Sequence, residues 1–399
     1  MSNENRNVPE LRFPGFEDEW IKMKLDNLGN IFTGSTPDTS KSELYEGKYP
    51  FVSPIDIHNN RYVKSTNKTV SKEGFYGGRV IPKGASLFVC IGSTIGKVGQ
   101  AEIDVTTNQQ INALIPYENY DDNYIYTNLY KSSNKIKKLA ATQAVPIINK
   151  KTFSNFSIYI PKFKEQKKIG DIFSKLDRQI ELEEKKLDLL EQQKRGYMQK
   201  IFSQGLRFKD EEGNYYKEWD TKQLKDVLEF SNKRTTNENE YPVLTSSRQG
   251  LILQSDYYKD GKTFAESNIG YFILPKNYIT YRSRSDDGIF KFNLNQIIDV
   301  GIISKYYPVF KGINANQYYL TLHLNYQLKK EYIKYATGTS QLVLSQKNLQ
   351  NIQTKLPSYE EQTKIANFLS ELDKLIEKQS DKVELLKDRK KGLLQKMFV

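Results

Sequence analysis

Two stretches of the chain carry the clearest hydrophobic pattern. In the first, Ile169, Phe173, Leu176, Ile180, Leu187, Leu190, Tyr197 and Ile201 follow one another at steps of four, three or their sum. In the second, Ile365, Leu369, Leu372, Ile376, Val383, Leu386, Leu393 and Met397 do the same. That spacing draws one apolar stripe along a helix and is the seam pattern of a coiled coil. Leu, Glu, Lys and Gln, all good helix formers, dominate both stretches, and no proline interrupts either. Pro161 and Pro357 stand just ahead of them, where a missing N–H costs least. The pattern predicts two long helices, within 161–205 and 357–399.

The two stretches are copies. Residues 161–203 align without gaps on 357–399, at an offset of 196 residues. Pro161, Glu165, Gln166 and Ile169 match Pro357, Glu361, Gln362 and Ile365; Leu176-Asp177 matches Leu372-Asp373; Phe202 matches Phe398. A match of that length argues for duplication over shared composition. The seam is broken at the same places in both copies, by Glu183 and Gln379, and by Lys194 and Lys390. Polar seam residues cost stability but can fix register and partner.

A weaker echo opens each intervening segment. Leu11-Arg12-Phe13 recurs as Leu206-Arg207-Phe208, and Glu19-Trp20 as Glu218-Trp219. These are the chain's two tryptophans, and the expected role for each is a buried anchor. The chain therefore reads as globular segment 1–160, helix 161–205, globular segment 206–356, helix 357–399. Two equivalent halves in one chain can be related by a pseudo-twofold, which would make the helices an antiparallel coiled coil. A helix of about 38 residues is roughly 57 Å long, close to about 17 base pairs of duplex. A helix pair of that length could space two DNA-reading domains.

The globular segments mix strand and turn patterns with some helix, so the fold class is α+β. Pro82-Lys83-Gly84 predicts a turn before a strand at 86–91, and Pro275-Lys276-Asn277 does so before 278–281. A third strand is expected at 110–115. Loops rich in hydrogen-bonding side chains are the candidates for reading bases: Arg suits guanine, Asn and Gln suit adenine, and Ser, Thr and Lys suit phosphate. In the first segment they are Ser35 and Thr36, Ser93 and Thr94, and Asn108 and Gln109. In the second they are Ser246, Arg248 and Gln249, and Tyr281, Arg282 and Arg284. Each could equally be an ordinary solvated turn.

Composition narrows the chemistry. The net charge of +12 favours a polyanionic partner, or reflects a Lys-rich proteome. Aromatics make up 12% of the chain, which argues against disorder. The N-terminus lacks an apolar signal region, no apolar run is long enough for a membrane span, and a lone Cys90 fits a reducing compartment, so a cytoplasmic protein is expected. Two histidines and one cysteine cannot build a structural Cys/His zinc site, and no metal site is expected. They also argue against Ser-His-Asp or Cys-His catalysis. The Gly92-Ser93-Thr94-Ile95-Gly96-Lys97-Val98 run has one residue too few between its glycines for a phosphate loop, and Val98 replaces the magnesium-binding Ser/Thr. No Asn-Pro-Pro-Tyr-type run of an adenine methyltransferase is present. A non-catalytic chain is expected.

At this point the residues resemble a known family. Pro-x-x-x-Glu-Gln-x-x-Ile at both helix starts, the Leu-Asp pairs that follow, Leu11-Arg12-Phe13-Pro14-Gly15-Phe16, Thr33-Gly34-Ser35-Thr36-Pro37 and Ile91-Gly92-Ser93-Thr94-Ile95-Gly96-Lys97 are similar to the specificity subunits of Type I restriction-modification systems. The resemblance implies two target recognition domains, each reading one half of a split double-stranded DNA site. It implies helices that set the unread gap and dock two modification (methyltransferase) subunits. Those partners would bind S-adenosylmethionine and methylate adenine, and restriction (translocase-nuclease) subunits would add ATP- and Mg-dependent cleavage. The helix faces opposite the seam are the candidate docking surface, or simply a solvated charged face. Other classes remain open: a stand-alone nuclease or methyltransferase, which would be active alone; a lone DNA-binding regulator, which would need no partner; and a structural coiled-coil protein, which would show no DNA preference.

Overall fold

A computed structural model describes residues 7–58, 60–140, 146–257 and 267–399. Two long helices, Phe163–Phe202 and Tyr359–Lys396, stand where the periodicity placed them. The chain packs as two compact units: Met1–Asp188 with Lys378–Val399, and Leu189–Glu377. This spatial division cuts both long helices in the middle, whereas the sequence pattern divides the chain at helix ends. A change of periodicity marks an element; shared core contacts mark a unit.

Each unit holds an antiparallel sheet of the same order. In unit 1 the strands run Gly29–Thr33, Ile111–Pro116, Ser86–Val89, Val98–Ala101, with Tyr62–Val63 added in parallel at the edge. In unit 2 they run Leu228–Ser231, Val309–Gly312, Ile279–Tyr281, Phe292–Leu294. The expected strands at 86–91, 110–115 and 278–281 are thus present, one or two residues shorter or shifted. Both turns expected before strands are closed by backbone bonds, Ala85 N to Pro82 O and Tyr278 N to Pro275 O. Gly84 (φ +92°) and Asn277 (φ +64°) supply the left-handed residue at each.

One helix packs on each sheet, Asp122–Lys137 in unit 1 and Gln317–Tyr326 in unit 2. Their N-caps, Asp121 and Asn316, accept from Tyr124 N (2.8 Å) and Tyr319 N (3.1 Å). The duplicated Glu-Gln pair at the start of each long helix explains itself here. Gln166 Oε1 accepts from Asp121 N and Gln166 Nε2 donates to Pro161 O; Gln362 does the same with Asn316 N and Pro357 O. Glu165 takes a two-point bond from Arg12, and Glu361 one from Arg207. A two-residue motif therefore ties together the domain's opening segment, its sheet-covering helix and its long helix.

Both tryptophans are buried anchors, Trp20 2% and Trp219 6% exposed. Each shares an aromatic cluster with the far end of a long helix. Trp20 packs on Tyr124 and Phe398, and Tyr319 packs on Trp219 and Phe202. The first long helix begins in unit 1, with Ile169 and Phe173 in its core, and ends in unit 2 at Ile201 and Phe202. The second begins in unit 2, with Ile365, Leu369 and Leu372 in the core, and ends in unit 1 at Met397 and Phe398.

That course corrects part of the seam. Ile169, Phe173, Ile365, Leu369 and Leu372 have the right period but face globular cores, because the first turns of each helix run beneath its own sheet domain. In unit 1 the seam proper is Leu176, Ile180 and Leu386, with Leu393 against them. Val383 is buried, while Leu187, Leu190 and Ile376 are half-buried. The paired positions rise along one helix and fall along the other, so the helices are antiparallel. In unit 1 Lys390 binds Asp177 (2.6 Å); in unit 2 Lys194 binds Asp373. Under the 196-residue repeat these are the same contact. Gln379 Nε2 donates to Glu183 Oε2 (2.7 Å) and to its carbonyl (3.0 Å), a contact that maps onto itself. All the polar seam positions are thus filled by cross-helix partners, and a heptad slip would break every one.

Unit 2 also buries a histidine. His323 is fully enclosed, its Nε2 2.7 Å from Thr354 Oγ1, and burial pushes its pKa down to about 3. The unfolded chain takes up this proton near pH 6.5, whereas the folded unit refuses it until about pH 3. Stability is therefore full above about pH 6.5 and falls as the pH drops below it. Between pH 7.5 and 5.5 the expected loss is about 1.4 kcal/mol, above the range where carboxylates titrate. Urea unfolding at the two pH values checks it: His323→Gln should remove that part of the slope, and an unchanged slope would refute the assignment.

Candidate nucleic-acid interface

In unit 1, three loops that are far apart in sequence converge. The 33–37 loop lies on the 107–111 loop through Gly34 N to Ile111 O and Ser35 N to Thr107 O. Thr36 Oγ1 then donates to Gln109 Oε1. This brings Ser35 and Thr36 to Asn108 and Gln109. Beneath them sits buried Asn112, which accepts from Thr33 Oγ1 (2.7 Å) and donates to the Cys90 sulfur (3.1 Å). Burial pushes the Cys90 thiol up to about 12, so it is a core group and no nucleophile. Ser93 and Thr94 belong to the turn between the Ser86–Val89 and Val98–Ala101 strands; Gly92 (φ +97°) beside them approaches Gln110. No helix follows this glycine run, so it lacks the backbone frame of a phosphate loop.

Of these six residues, Thr36, Ser93 and Gln109 are exposed and the others half-buried. Arg79 joins them: exposed, it donates to Thr33 O. Its nearness to the loop depends on the sheet alone, which is why the linear pattern did not single it out.

In unit 2 the Leu244–Ser246 and Leu251–Leu253 strands form a hairpin that carries Arg248 and Gln249, both exposed, at its turn. Buried Asn293 fixes the hairpin, donating to Ser246 Oγ (2.7 Å) and Ser247 O (2.9 Å). A second segment, through Arg282, Arg284, Ser285 and Asp286, faces it across a cleft of about 460 Å³ that Lys291 also lines. Arg248 binds Asp287 (2.7 Å), which also accepts from Ser285 Oγ and Ile289 N. Those bonds, the Ser285 hydroxyl first, hold the Asp287 carboxyl below its usual range. Arg284 lies 5.4 Å from the Tyr306 ring centre. Burial and the neighbouring Lys194 and Lys329 lower the pKa of Lys291.

Two sequence candidates drop out of direct contact. Tyr281 is 0% exposed, stacks on Phe292 and donates its hydroxyl to Leu344 O. Ser246 is buried beneath the hairpin, its oxygen taken by Asn293. Strand alternation turns each inward while its neighbour faces out. Arg248, Gln249, Arg282 and Arg284 remain on the cleft. Among the described residues no group of three or more His, Cys, Asp or Glu could hold a metal ion, and no helix is long and apolar enough to cross a membrane.

This arrangement, two units of one sheet plan bearing unlike polar and cationic loops, agrees with the comparisons. The family model for the Type I restriction modification DNA specificity domain matches twice, at residues 17–192 and 216–385. The MjaVIII specificity subunit of Methanocaldococcus jannaschii is 26% identical over 410 residues, covering 96% of this chain and 92% of its own. The HindI specificity subunit of Haemophilus influenzae is 33% identical over 166 residues, 39% of this chain and 36% of its own. A crystal structure of a Type I restriction-modification S subunit from M. genitalium superposes with a TM-score of 0.66 at 17% identity, covering 98% of this chain and 99% of that one; at that identity the likeness is one of fold. The chain belongs to the Type I restriction-modification DNA specificity family and is a sequence-recognition subunit of that class.

Proposed function

We propose that each unit reads one half of a split double-stranded DNA site and that the long helices, which contribute to both units, set the unread gap between the halves. The observation that carries this reading is the contrast within the repeat. The sheet order, the Glu-Gln anchor and the cross-helix contacts recur, while the candidate reading loops carry different side chains, Ser35, Thr36, Asn108 and Gln109 in one unit and Arg248, Gln249, Arg282 and Arg284 in the other. A duplicated support under divergent loops is what two different half-sites require.

Two modification subunits would dock on the repeated helix surface. Leu189 and Leu385 occupy the same place in the repeat and are 54% and 70% exposed. Matched apolar residues on an otherwise charged face suit a protein partner. S-adenosylmethionine would belong to those partners, and ATP and Mg to added restriction subunits. This chain would supply position and orientation, and the partner would flip the target base.

Adenine methylation mapping by long-read sequencing tests the reading, in cells with and without this gene and with the partner subunits supplied. A split motif whose methylation vanishes with the gene is the expected result. Unchanged methylation with active partners would refute it and bring a lone DNA-binding role forward.

A further inference from the structure

We propose that unit 2 reads guanine in its half-site, through Arg282 as a direct reader and Arg248 as a second reader held in position by Asp287. This rests on the reading of the chain as a DNA-recognition subunit and goes further, to the base and the residues.

The cleft is lined by Arg248, Arg282, Arg284 and Lys291 against Asp286, with Asp287 bonded to Arg248 beside it. Most of that charge is already committed. Asp287 holds Arg248, Asp286 accepts from Gln341 Nε2 (2.8 Å), and Arg284 leans on Tyr306. Arg282 is exposed and has no hydrogen-bond or ion-pair partner among the described residues. An arginine fork left free beside a cleft can donate two parallel bonds to one acceptor pair, and O6 and N7 of guanine present such a pair in the major groove.

Two features favour a base over a phosphate. The first is Asp287. A carboxylate beside the cleft repels a phosphate, but bound to one edge of Arg248 it leaves the other edge aimed and ready to donate. The second is the hairpin. A two-stranded ribbon can enter the major groove. This one is fixed by Asn293 and by Ser247, whose N–H and hydroxyl both donate to Gly250 O. A rigid ribbon bearing a braced arginine at its turn is built to probe base edges. Phosphate contact would not need that rigidity.

The experiment is methylation mapping of the assembled complex with Arg282→Ala, Arg282→Lys and Asp287→Asn. Arg282→Ala should relax one guanine position in one half of the motif, with discrimination there falling about 10- to 100-fold, while the other half stays as in the wild type. Arg282→Lys keeps the charge but loses the fork, so it should relax the same position. Asp287→Asn should weaken discrimination at a second guanine of the same half. If Arg282→Ala abolishes methylation entirely, Arg282→Lys decides. An unaltered motif with Arg282→Lys would mean a phosphate contact and overturn the proposal, even though the specificity role stands. A half-site without guanine would also overturn it. If the wild-type complex yields no gene-dependent split motif, it is the underlying DNA-recognition reading that fails.

Discussion

Replacing Arg12 with Ala is expected to destabilise unit 1 by about 3 to 5 kcal/mol, the cost of stranding a buried charge. Arg12 Nε and Nη2 donate to the two carboxylate oxygens of Glu165 at 2.7 and 2.8 Å, and Glu165 is only 1% exposed. Without the guanidinium that carboxylate has no other ion-pair partner among the described residues. The double substitution Arg12→Ala with Glu165→Leu should recover much of the loss, because no charge is then left buried. Arg207→Ala is the matching change in unit 2. It should lie at the upper end of the range, since Arg207 also donates to Tyr216 O and Lys217 O. Urea unfolding of the single and double variants measures all of this. A loss under about 1 kcal/mol, the size of an exposed ion pair, would show that the anchor does not carry the load assigned to it.

Phe398→Ala should cost unit 1 a similar amount, about 3 to 5 kcal/mol for a buried aromatic cut to Ala. Phe398 is 5% exposed and touches Tyr124, Phe173 and Trp20, with ring centres 5.5, 5.7 and 6.1 Å away. The second long helix thus ends inside a core formed mostly by residues more than 200 positions earlier in the chain. Phe202→Ala is its counterpart, acting on unit 2 through Tyr319, His323 and Tyr326. Calorimetry should therefore separate them: Phe398→Ala lowers the transition of unit 1, and Phe202→Ala that of unit 2. If both variants shifted the same transition equally, the closure of each unit by a helix end would be wrong.

Much of this architecture is legible in the linear pattern because it rests on short-range periodicity and on duplication. A helical stripe is a local property, so the long helices appear at Phe163–Phe202 and Tyr359–Lys396 almost as read. Repeat-matched polar positions such as Lys194 and Lys390 mark the seam's exceptions before any partner is known. The turns at Pro82 and Pro275 are set by backbone preferences of the residues in them. The chain's place among specificity subunits follows from the same two-copy pattern.

Tertiary structure decided what periodicity cannot carry. Ile169, Phe173, Ile365 and Leu369 share the seam's spacing, yet they face sheet domains, because a stripe specifies that a face is buried and not against what. The meaning of Glu165 and Gln166 emerges only when Arg12 and Asp121 come to them across the fold. The shared sheet order of the two units is invisible in loops that differ so widely. The candidate loops are turn residues rich in donors, but which of their side chains reach the surface depends on strand alternation and on long-range partners. Tyr281 turns into the core while Arg282 turns out, and Arg79 reaches the Thr33 loop only because the sheet domain folds around both. Sequence alone determined the two long helices, their duplication and the family of DNA-recognition subunits; packing determined which atoms are free to meet a partner, since burial is a property of the whole fold and not of a residue's neighbours in the chain.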